Sequence, residues 1–392
     1  MFRLLRSLLP VLALIVAGLV LALPAQAFET RAKAAFVIDV TTGTVLLEKN
    51  ADTPMAPASM SKLMTLYVTF EAVREGRLSL DEKLPVSQRA MSYGGSTMFL
   101  DTTDRVSVID LIRGIIVLSG NDACVVLGEA LSPNGTEAGF AAFMTQRAQQ
   151  LGMTSSTFKN ASGWPASGHL MSMRDLALLA RLLIEEFPEY YPMFAETEFA
   201  FDGRAPQNTR NRNPLLTLGI GADGLKTGHT QEAGYGLVGS AKQGDRRVIF
   251  VISGLDSAQA RAQEAEAIVN WAFRQFTQKE LIKAGTEIAR ADVWMGAADT
   301  VGLAPATDID TLIPVLSTEA LKADVIYDGP LRTPIATGDE LGELVFAPEG
   351  LPEIRVPLVA TEDVAKGGFL PRMKTVSSLL LTRLQQGPEG AL

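Results

Sequence analysis

The sequence predicts an α+β fold: an antiparallel sheet with helices packed on it, followed by a small all-β sandwich and a C-terminal amphipathic helix. In the first part of the chain, segments with the two-residue period of strands bracket a long stretch with helical periodicity. After about Lys283, short Val, Ile and Leu runs alternate with Gly, Pro, Asp and Thr at a spacing of about ten residues, which is typical of a β-sandwich.

The composition is that of a folded protein without disulfide or zinc cross-links. The chain has 392 residues, enough for two or three domains of roughly 100–200 residues each. Its single Cys forbids an intramolecular disulfide, and one Cys with two His cannot build a usual structural zinc site. The net charge of −9 argues against a nucleic-acid partner. We therefore expect no metal, no cofactor and no nucleic acid.

The N-terminus has the three parts of a secretory signal peptide. Arg3 and Arg6 precede an apolar stretch over 8–23, and Ala25-Gln26-Ala27 has the small residues of a cleavage site. The apolar stretch is short for an uncleaved membrane anchor, which needs about 20 residues. We therefore expect cleavage after Ala27 and export of the mature protein.

The first part of the chain is expected to begin with two strands and a helix. Residues 33–39 and 44–48 are strand-like and are separated by the turn Thr41-Thr42-Gly43. Residues 59–75 have apolar side chains at helical spacing, and Gly76 follows at a position where glycine commonly ends a helix.

More helices and a hairpin complete this part. Residues 86–106 are rich in Ser, Gly and Thr and indicate a long surface excursion. Helical spacing predicts four helices, at 108–118, 122–131, 135–151 and 173–187. From Gly234 the period is two, which predicts a hairpin of 234–241 and 246–253 before a last helix at 258–276. The strands of the sandwich are predicted at 287–293, 312–316, 324–327, 343–346 and 354–359.

Ser59-Met60-Ser61-Lys62 is the first of three motifs that can carry chemistry. It opens the predicted helix 59–75, where residues i and i+3 share a face, so the Ser59 hydroxyl and the Lys62 amine can meet. A serine needs a base to become a nucleophile, and a lysine is such a base only when its pKa is depressed. About one such spacing arises by chance in a chain this long. A second one, Ser156-Thr157-Phe158-Lys159, has no helix start, and we expect no chemistry there.

Ser119-Gly120-Asn121 is the second motif and follows the predicted helix 108–118. It can also be an ordinary helix end followed by the N-cap of the next helix, and both interpretations can hold together. Ser132-Pro133-Asn134 has the same spacing, but its proline suits a turn better.

Lys226-Thr227-Gly228 is the third motif and precedes the hairpin that starts at Gly234. In a functional interpretation, Lys226 supplies a positive charge, Thr227 a hydroxyl donor and Gly228 room for a substrate backbone. The alternative is an ordinary polar strand edge.

The order and surroundings of the three motifs resemble the serine D-alanyl-D-alanine carboxypeptidases, the low-molecular-mass penicillin-binding proteins. Residues 58–65 are similar to the nucleophile helix of that family, 119–124 to its second motif, and 226–230 with 233–235 to the carboxypeptidase form of its third. The resemblance covers nearly all of 30–275. It implies a penicillin-binding/β-lactamase-like transpeptidase domain, and it makes Cys124 a packed helix residue.

The resemblance implies acyl transfer as the chemistry. Ser59 would attack the carbonyl of the penultimate D-Ala in a peptidoglycan stem pentapeptide, with Lys62 as the base, its neutral form favoured by Lys226 nearby. Ser119 would relay a proton to the leaving amine, and Asn121 would bind the substrate amide and position Lys62. Water would then hydrolyse the acyl-enzyme, and β-lactams are expected as covalent inhibitors.

The resemblance also implies how the substrate is held. The backbone N–H groups of Ser59 and His229 would form the oxyanion hole. The terminal carboxylate would be held by Lys226, Thr227 and a guanidinium group, for which Arg212 and Arg261 are the candidates. Asp175 matches a family aspartate in an omega-like loop, although an acid at a helix start explains it at least as well.

Other kinds of enzyme fit less well. A Ser-His-Asp triad would have to use His169 or His229, and the chain has no G-x-S-x-G elbow. A class A β-lactamase shares the three motifs but needs a Glu-Pro-x-x-Leu-Asn box, which is missing. A catalytically dead peptidoglycan-binding protein would predict a damaged motif. A DD-endopeptidase that acts on cross-links stays open.

The C-terminal segment predicts a basic amphipathic helix. In residues 366–386, apolar side chains recur at steps of three and four, and the charged members are positive. This pattern is typical of a helix that lies in a membrane interface, and packing on the β-sandwich is the alternative. The expected organisation is a signal peptide at 1–27, a catalytic domain at 28–282, a β-sandwich at 283–365 and a membrane-association segment at 366–392. We expect the protein in the periplasm, attached to the outer face of the inner membrane.

Overall fold

The computed structural model describes residues 28–315, 321–369 and 373. The predicted signal peptide and most of the predicted C-terminal helix lie outside the described residues. Within the described part of the chain, none of the helices has the length and apolar character needed to cross a membrane.

A five-stranded antiparallel sheet forms the centre of the first part of the chain, with strand order β2-β1-β7-β6-β5. Its strands are β1 (Ala34–Asp39), β2 (Thr44–Lys49), β5 (Ala222–Thr230), β6 (Gly234–Gln243) and β7 (Arg246–Leu255). Strand β5 lies at one edge of this sheet. A separate short pair, β3 (Lys83–Pro85) and β4 (Arg105–Ser107), pairs the two ends of the predicted surface excursion.

Helices cover both faces of the sheet. They are α1 (Lys62–Arg74), α2 (Gln88–Met91), α3 (Val108–Arg113), α4 (Asn121–Leu131), α5 (Glu137–Gln150), α6 (Met173–Glu186) and α7 (Ala258–Gln275). Ile249 and Val251 of β7 pack in the core shared with α1 to α6, whereas Val248, Phe250 and Ile252 pack in the core that includes α7. This alternation follows from the two-residue period of a strand. The predicted antiparallel sheet with helices is confirmed.

The second part of the chain is all β. A six-stranded sheet has the order β12-β14-β15-β10-β9-β13. Its strands are β9 (Ala289–Trp294), β10 (Thr300–Pro305), β12 (Ala323–Ile326), β13 (Leu331–Arg332), β14 (Glu340–Phe346) and β15 (Ile354–Ala360). A two-stranded ribbon of β8 (Phe276–Ile282) and β11 (Ile309–Pro314) contributes Ile309 to the same core.

The β8–β11 ribbon also contacts the first part of the chain. Phe276 and Leu312 of the ribbon belong to the core that holds Ile268 and Val269 of α7. Strand β8 begins directly after the last residue of α7, so no linker separates them. The ribbon therefore contributes side chains to both cores.

Two predicted helices differ in detail from the structure. The predicted helix 59–75 begins with a turn of 3-10 helix over Ala58–Ser61. The predicted helix 108–118 ends in a wider π turn over Gly114–Leu118. Ser119 closes that turn in the left-handed conformation, and the N–H groups of Ser119 and Gly120 both donate to the carbonyl of Gly114.

Candidate active site

The three sequence motifs meet beside the edge strand β5. The turn Ala58–Ser61 packs against β5, so the helix start that carries Ser59 lies next to Lys226-Thr227-Gly228. Gly228 allows this approach, because a Cβ there would lie 3.0 Å from Met60 Cγ and 3.0 Å from the Pro57 carbonyl oxygen. The missing side chain thus makes room for the protein's own backbone and for Met60.

Ser59 and Lys62 are in direct contact. Lys62 Nζ lies 2.7 Å from Ser59 Oγ, as the three-residue spacing at a helix start predicts. The same amine donates to the carbonyl oxygen of Ser162 at 2.7 Å, and Lys62 is fully buried. A hydroxyl and a carbonyl therefore hold the amine in position to take the Ser59 proton.

Burial determines the charge of Lys62. The pKa of this amine is lowered to about 8, mainly because the amine is removed from water and to a smaller extent because of the positive charge of Arg212. The resemblance implies that Lys226 favours the neutral form of Lys62, whereas burial is the largest cause of the lowered pKa. Burial and the charge of Lys62 also lower the pKa of Lys226. The charge of Lys62 thus disfavours a proton on Lys226.

Backbone carbonyls of an earlier loop, at Gly94 and Ser96, hold the second motif in place. Ser119 is buried in a left-handed conformation with φ of 63°, which few residues other than glycine adopt. Asn121 Nδ2 donates to the Gly94 carbonyl at 2.7 Å, and its backbone N–H donates to the Ser96 carbonyl at 2.7 Å. Among the described residues, no hydrogen bond joins Asn121 to Lys62, so the expected positioning of Lys62 falls to the Ser162 carbonyl instead.

Positive charge collects at one end of the site. Arg212 donates to Ser96 Oγ at 2.6 Å and to the Leu118 carbonyl at 3.2 Å, which places its guanidinium beside the second motif. Arg261 is buried and donates to the Arg212 carbonyl at 3.4 Å, while its Nε has no hydrogen-bond partner. With Lys226 also buried, these cations form a ready site for an anion.

His229 is placed by stacking. Its ring lies on Tyr235 of the neighbouring strand, with centroids 3.8 Å apart, and the Arg261 guanidinium lies 5.8 Å from the same tyrosine ring. Ser59 and His229 both line a cavity of about 500 Å³. Thr227 is buried beside them in β5.

His169 and Cys124 make structural contacts away from the Ser59 hydroxyl. His169 contacts Ser61 rather than Ser59: its Nε2 lies 2.8 Å from Ser61 Oγ, and its Nδ1 accepts from the Lys159 N–H. Burial lowers the pKa of His169 to about 4, so the ring is neutral near pH 7. Cys124 is fully buried in α4, and burial raises the pKa of its thiol to about 12.

The second serine–lysine spacing takes no part in this cluster. Ser156 Oγ donates to the Asp175 carboxylate at 2.7 Å, and the Ser155 N–H donates to it at 3.0 Å. Asp175 lies in the first turn of α6, whose N-cap is Ser172. Both bonds tie the loop before α6 to the start of that helix, in line with the helix-start interpretation of Asp175.

Glu137 is a buried acid that the sequence analysis missed. Its carboxylate accepts hydrogen bonds from the Arg89 guanidinium at 2.6 Å, from the Tyr93 hydroxyl at 2.8 Å and from the Ala161 N–H at 3.2 Å. Ala161 immediately precedes Ser162, whose carbonyl holds Lys62. The sequence shows only an acid after the N-cap Thr136, which reads as an ordinary helix start.

We expect Glu137→Gln to weaken both the fold and the site. The amide would turn one donor towards the Arg89 guanidinium or the Ala161 N–H, which leaves a buried donor unpaired at a cost of about 1–3 kcal/mol. The segment that carries the Ser162 carbonyl would loosen, and acylation of the enzyme should slow by about tenfold or more. Urea unfolding and stopped-flow acylation by a fluorescent penicillin measure the two effects.

The control for this variant is Arg89→Gln, which removes an exposed partner of the same carboxylate. It should cost less stability and leave acylation closer to that of the unsubstituted protein. Unchanged acylation in a folded Glu137→Gln protein would show that Glu137 does not position the site.

Comparison with known proteins agrees with this geometry. A family model described as D-alanyl-D-alanine carboxypeptidase matches residues 22–257, and one described as penicillin-binding protein 5, C-terminal domain, matches residues 276–366. The D-alanyl-D-alanine carboxypeptidase DacC of Escherichia coli (strain K12) is 36% identical over 357 residues, which cover 89% of this chain and 88% of that protein.

Solved structures show the same similarity. The D-alanyl-D-alanine carboxypeptidase DacD from Francisella tularensis is 32% identical with a TM-score of 0.75, covering 87% of this chain and 95% of that one. Penicillin-binding protein D2 from Listeria monocytogenes, solved in an ampicillin-bound form, is 35% identical with a TM-score of 0.57, covering 63% of this chain and 100% of that one.

The family match covers the segment that contains all three motifs, and the second match covers most of the β-rich part. The endopeptidase and β-lactamase alternatives are not favoured, because the matching family model and the curated relatives are described as carboxypeptidases. The chain therefore belongs to the D-alanyl-D-alanine carboxypeptidase family of serine-type hydrolases.

Proposed function

We propose that this carboxypeptidase removes the terminal D-alanine from peptidoglycan stem pentapeptides through an acyl-enzyme on Ser59. The observation that carries the proposal is the 2.7 Å contact between Ser59 Oγ and a buried Lys62 amine, beside the cavity of about 500 Å³. In the first step Ser59 Oγ bonds to the carbonyl carbon of the penultimate D-Ala, and its proton passes to Lys62 Nζ.

Collapse of the tetrahedral intermediate breaks the peptide bond. The leaving nitrogen needs a proton, which Ser119 relays, and free D-alanine departs. Water then attacks the ester carbon, releases the shortened peptide and returns the proton to Ser59. Asn121 binds the substrate amide during these steps.

The charged groups of the site bind two parts of the substrate. The backbone N–H groups of Ser59 and His229 stabilise the oxyanion. The carboxylate of the terminal D-Ala is held by Lys226, Thr227, Arg212 and Arg261. The unpaired Nε of Arg261 and the buried Lys226 amine support this role, because an anion would compensate buried positive charge.

β-Lactams are proposed to acylate the same serine, as ampicillin-bound penicillin-binding protein D2 suggests. Mass spectrometry tests the whole proposal in two experiments. One follows the products of a purified pentapeptide, and the other follows the protein and its tryptic peptides after treatment with benzylpenicillin. We expect release of one D-alanine per peptide and a stable adduct of the mass of benzylpenicillin on the tryptic peptide that contains Ser59. An adduct on another serine, or no D-alanine release, would contradict it.

The lowered pKa of Lys62 predicts how the acylation rate depends on pH. Below pH 8 the amine is mostly protonated and cannot accept the Ser59 proton, so the rate should rise about tenfold per pH unit and level off above pH 8. Stopped-flow acylation by a β-lactam between pH 5.5 and 9.5 measures this profile. A rate that does not change between pH 6 and 8 would show that Lys62 does not act as the base.

We also propose the location of the enzyme and its division into domains. The signal peptide 1–27 directs export to the periplasm, and residues 28–282 form the catalytic domain. The β-sandwich 283–365 holds that domain away from the membrane, and residues 366–392 attach the chain to the outer face of the inner membrane. The 77% exposure of the Phe369 side chain supports an apolar contact outside the protein at this end.

Removing the C-terminal segment should abolish membrane binding and leave catalysis intact. The chain is best ended after Gly368, because the Gly367 N–H donates to the Met295 carbonyl and is part of the fold. We expect the mature protein to float with vesicles that contain anionic lipid, and the shortened protein to stay in the dense fraction. Both proteins should release D-alanine from a soluble peptide at the same rate. Equal flotation of the two would contradict the anchor.

A further inference from the structure

Beyond the reacting groups, the active-site cavity contains one unpaired charge. Of the 12 residues that line it, Glu232 is the only Asp, Glu, Lys or Arg. It lies exposed in the turn between β5 and β6, and it has no ion pair with any residue that the structure describes. Glu232 also lines a smaller adjoining cavity, again as the only carboxylate there.

Trp164 lines both cavities together with this carboxylate. The indole is held edge-on against Tyr93, with ring centroids 6.2 Å apart, and covers the Gly95 backbone so closely that a Cβ there would lie 2.6 Å from it. It is nevertheless 44% exposed. A fixed, open aromatic surface and a free carboxylate therefore flank the same recess.

The fold indicates which part of the substrate reaches this recess. Because β5 is an edge strand, an extended peptide can add to it in an antiparallel direction. In the proposed function, Lys226 and Thr227 hold the terminal carboxylate of the substrate. From there the substrate peptide runs along β5 towards Thr230, from its C-terminus to its N-terminus. At about 3.3 Å per residue, the residue before D-Ala-D-Ala then lies opposite Thr230 and Glu232.

We propose that Glu232 and Trp164 form a subsite for a cationic amine on an aliphatic side chain of that residue, as a diamino acid provides. The carboxylate attracts the ammonium group, and the indole packs against the methylene groups and attracts the cation through its ring face. This inference rests on the proposed function, since that sets the direction of the peptide. For a half-exposed pair we expect a preference of about 3- to 10-fold in kcat/KM.

Three peptides that differ only at this residue test the subsite: Nα-acetyl-Lys-D-Ala-D-Ala, its Nε-acetylated form and the norleucine analogue. The unsubstituted enzyme should prefer the free amine. Glu232→Gln should remove the preference, and Glu232→Lys should reverse it in favour of the norleucine peptide. The matched control Glu189→Gln removes an exposed charge that lines neither cavity and should keep the preference.

The outcomes separate the two proposals. If all three peptides release D-alanine at equal kcat/KM, the subsite is wrong and the proposed function stands. If none releases D-alanine, the proposed function fails and the subsite with it. A preference for the free amine that survives in both Glu232 variants would place its origin elsewhere and would overturn the role of Glu232.

Discussion

Replacing Ser59 by alanine is expected to lower the rate of D-alanine release by a factor on the order of 10³ or more and to abolish labelling by benzylpenicillin. The reason is that Ser59 is the cavity serine whose hydroxyl contacts the Lys62 amine, while Ser61, two residues away, contacts His169 instead. Amino-acid analysis of released D-alanine and mass spectrometry of the labelled protein measure the two losses.

Ser156→Ala is the matched control, since Ser156 belongs to the second serine–lysine spacing and bonds to Asp175. This variant should lose some stability but keep its penicillin adduct on Ser59. Equal labelling of the Ser59→Ala and unsubstituted proteins would rule out Ser59 as the nucleophile.

Lys62→Arg should have the second-largest effect, with acylation slowed about 10²- to 10⁴-fold. Arginine keeps the positive charge but cannot lose its proton near neutral pH, so the base is lost while the charge remains. Lys226→Arg should retain measurable activity, because at that position the charge itself is the contribution. The measurement is the rate of acylation by a β-lactam for both variants.

Because arginine is larger than lysine in a fully buried position, Lys62→Met serves as a second variant of similar length without charge. Circular dichroism must show that each variant is folded. Acylation near the original rate in folded Lys62→Arg would assign the base to another group.

The parts of the site that the sequence predicts are those encoded by local spacing. Ser59 and Lys62 meet because they are three residues apart at a helix start, and Lys226 lies in a strand because the hairpin that follows has a clear two-residue period. The antiparallel sheet follows from the same period. For these parts of the site and of the sheet, the local sequence pattern is sufficient to predict the structure.

Contacts between distant segments could not be predicted in this way. Ser162 reaches Lys62 through a backbone carbonyl, which every residue possesses, so the sequence contains no signal for it. Glu137 bonds to groups 48 and 24 residues away. Strand β8 is missed by the sequence analysis because Thr277 and Gln278 show no apolar alternation, and only pairing with β11 makes this segment a strand.

The β8–β11 ribbon has a consequence for how the protein unfolds. Since Phe276 and Leu312 are buried with α7 while Ile309 is buried among the sandwich strands, neither half can melt without exposing apolar surface of the other. We therefore expect residues 28–368 to unfold in one cooperative calorimetric transition, with equal van't Hoff and calorimetric enthalpies, although proteins of this size commonly melt in separate steps.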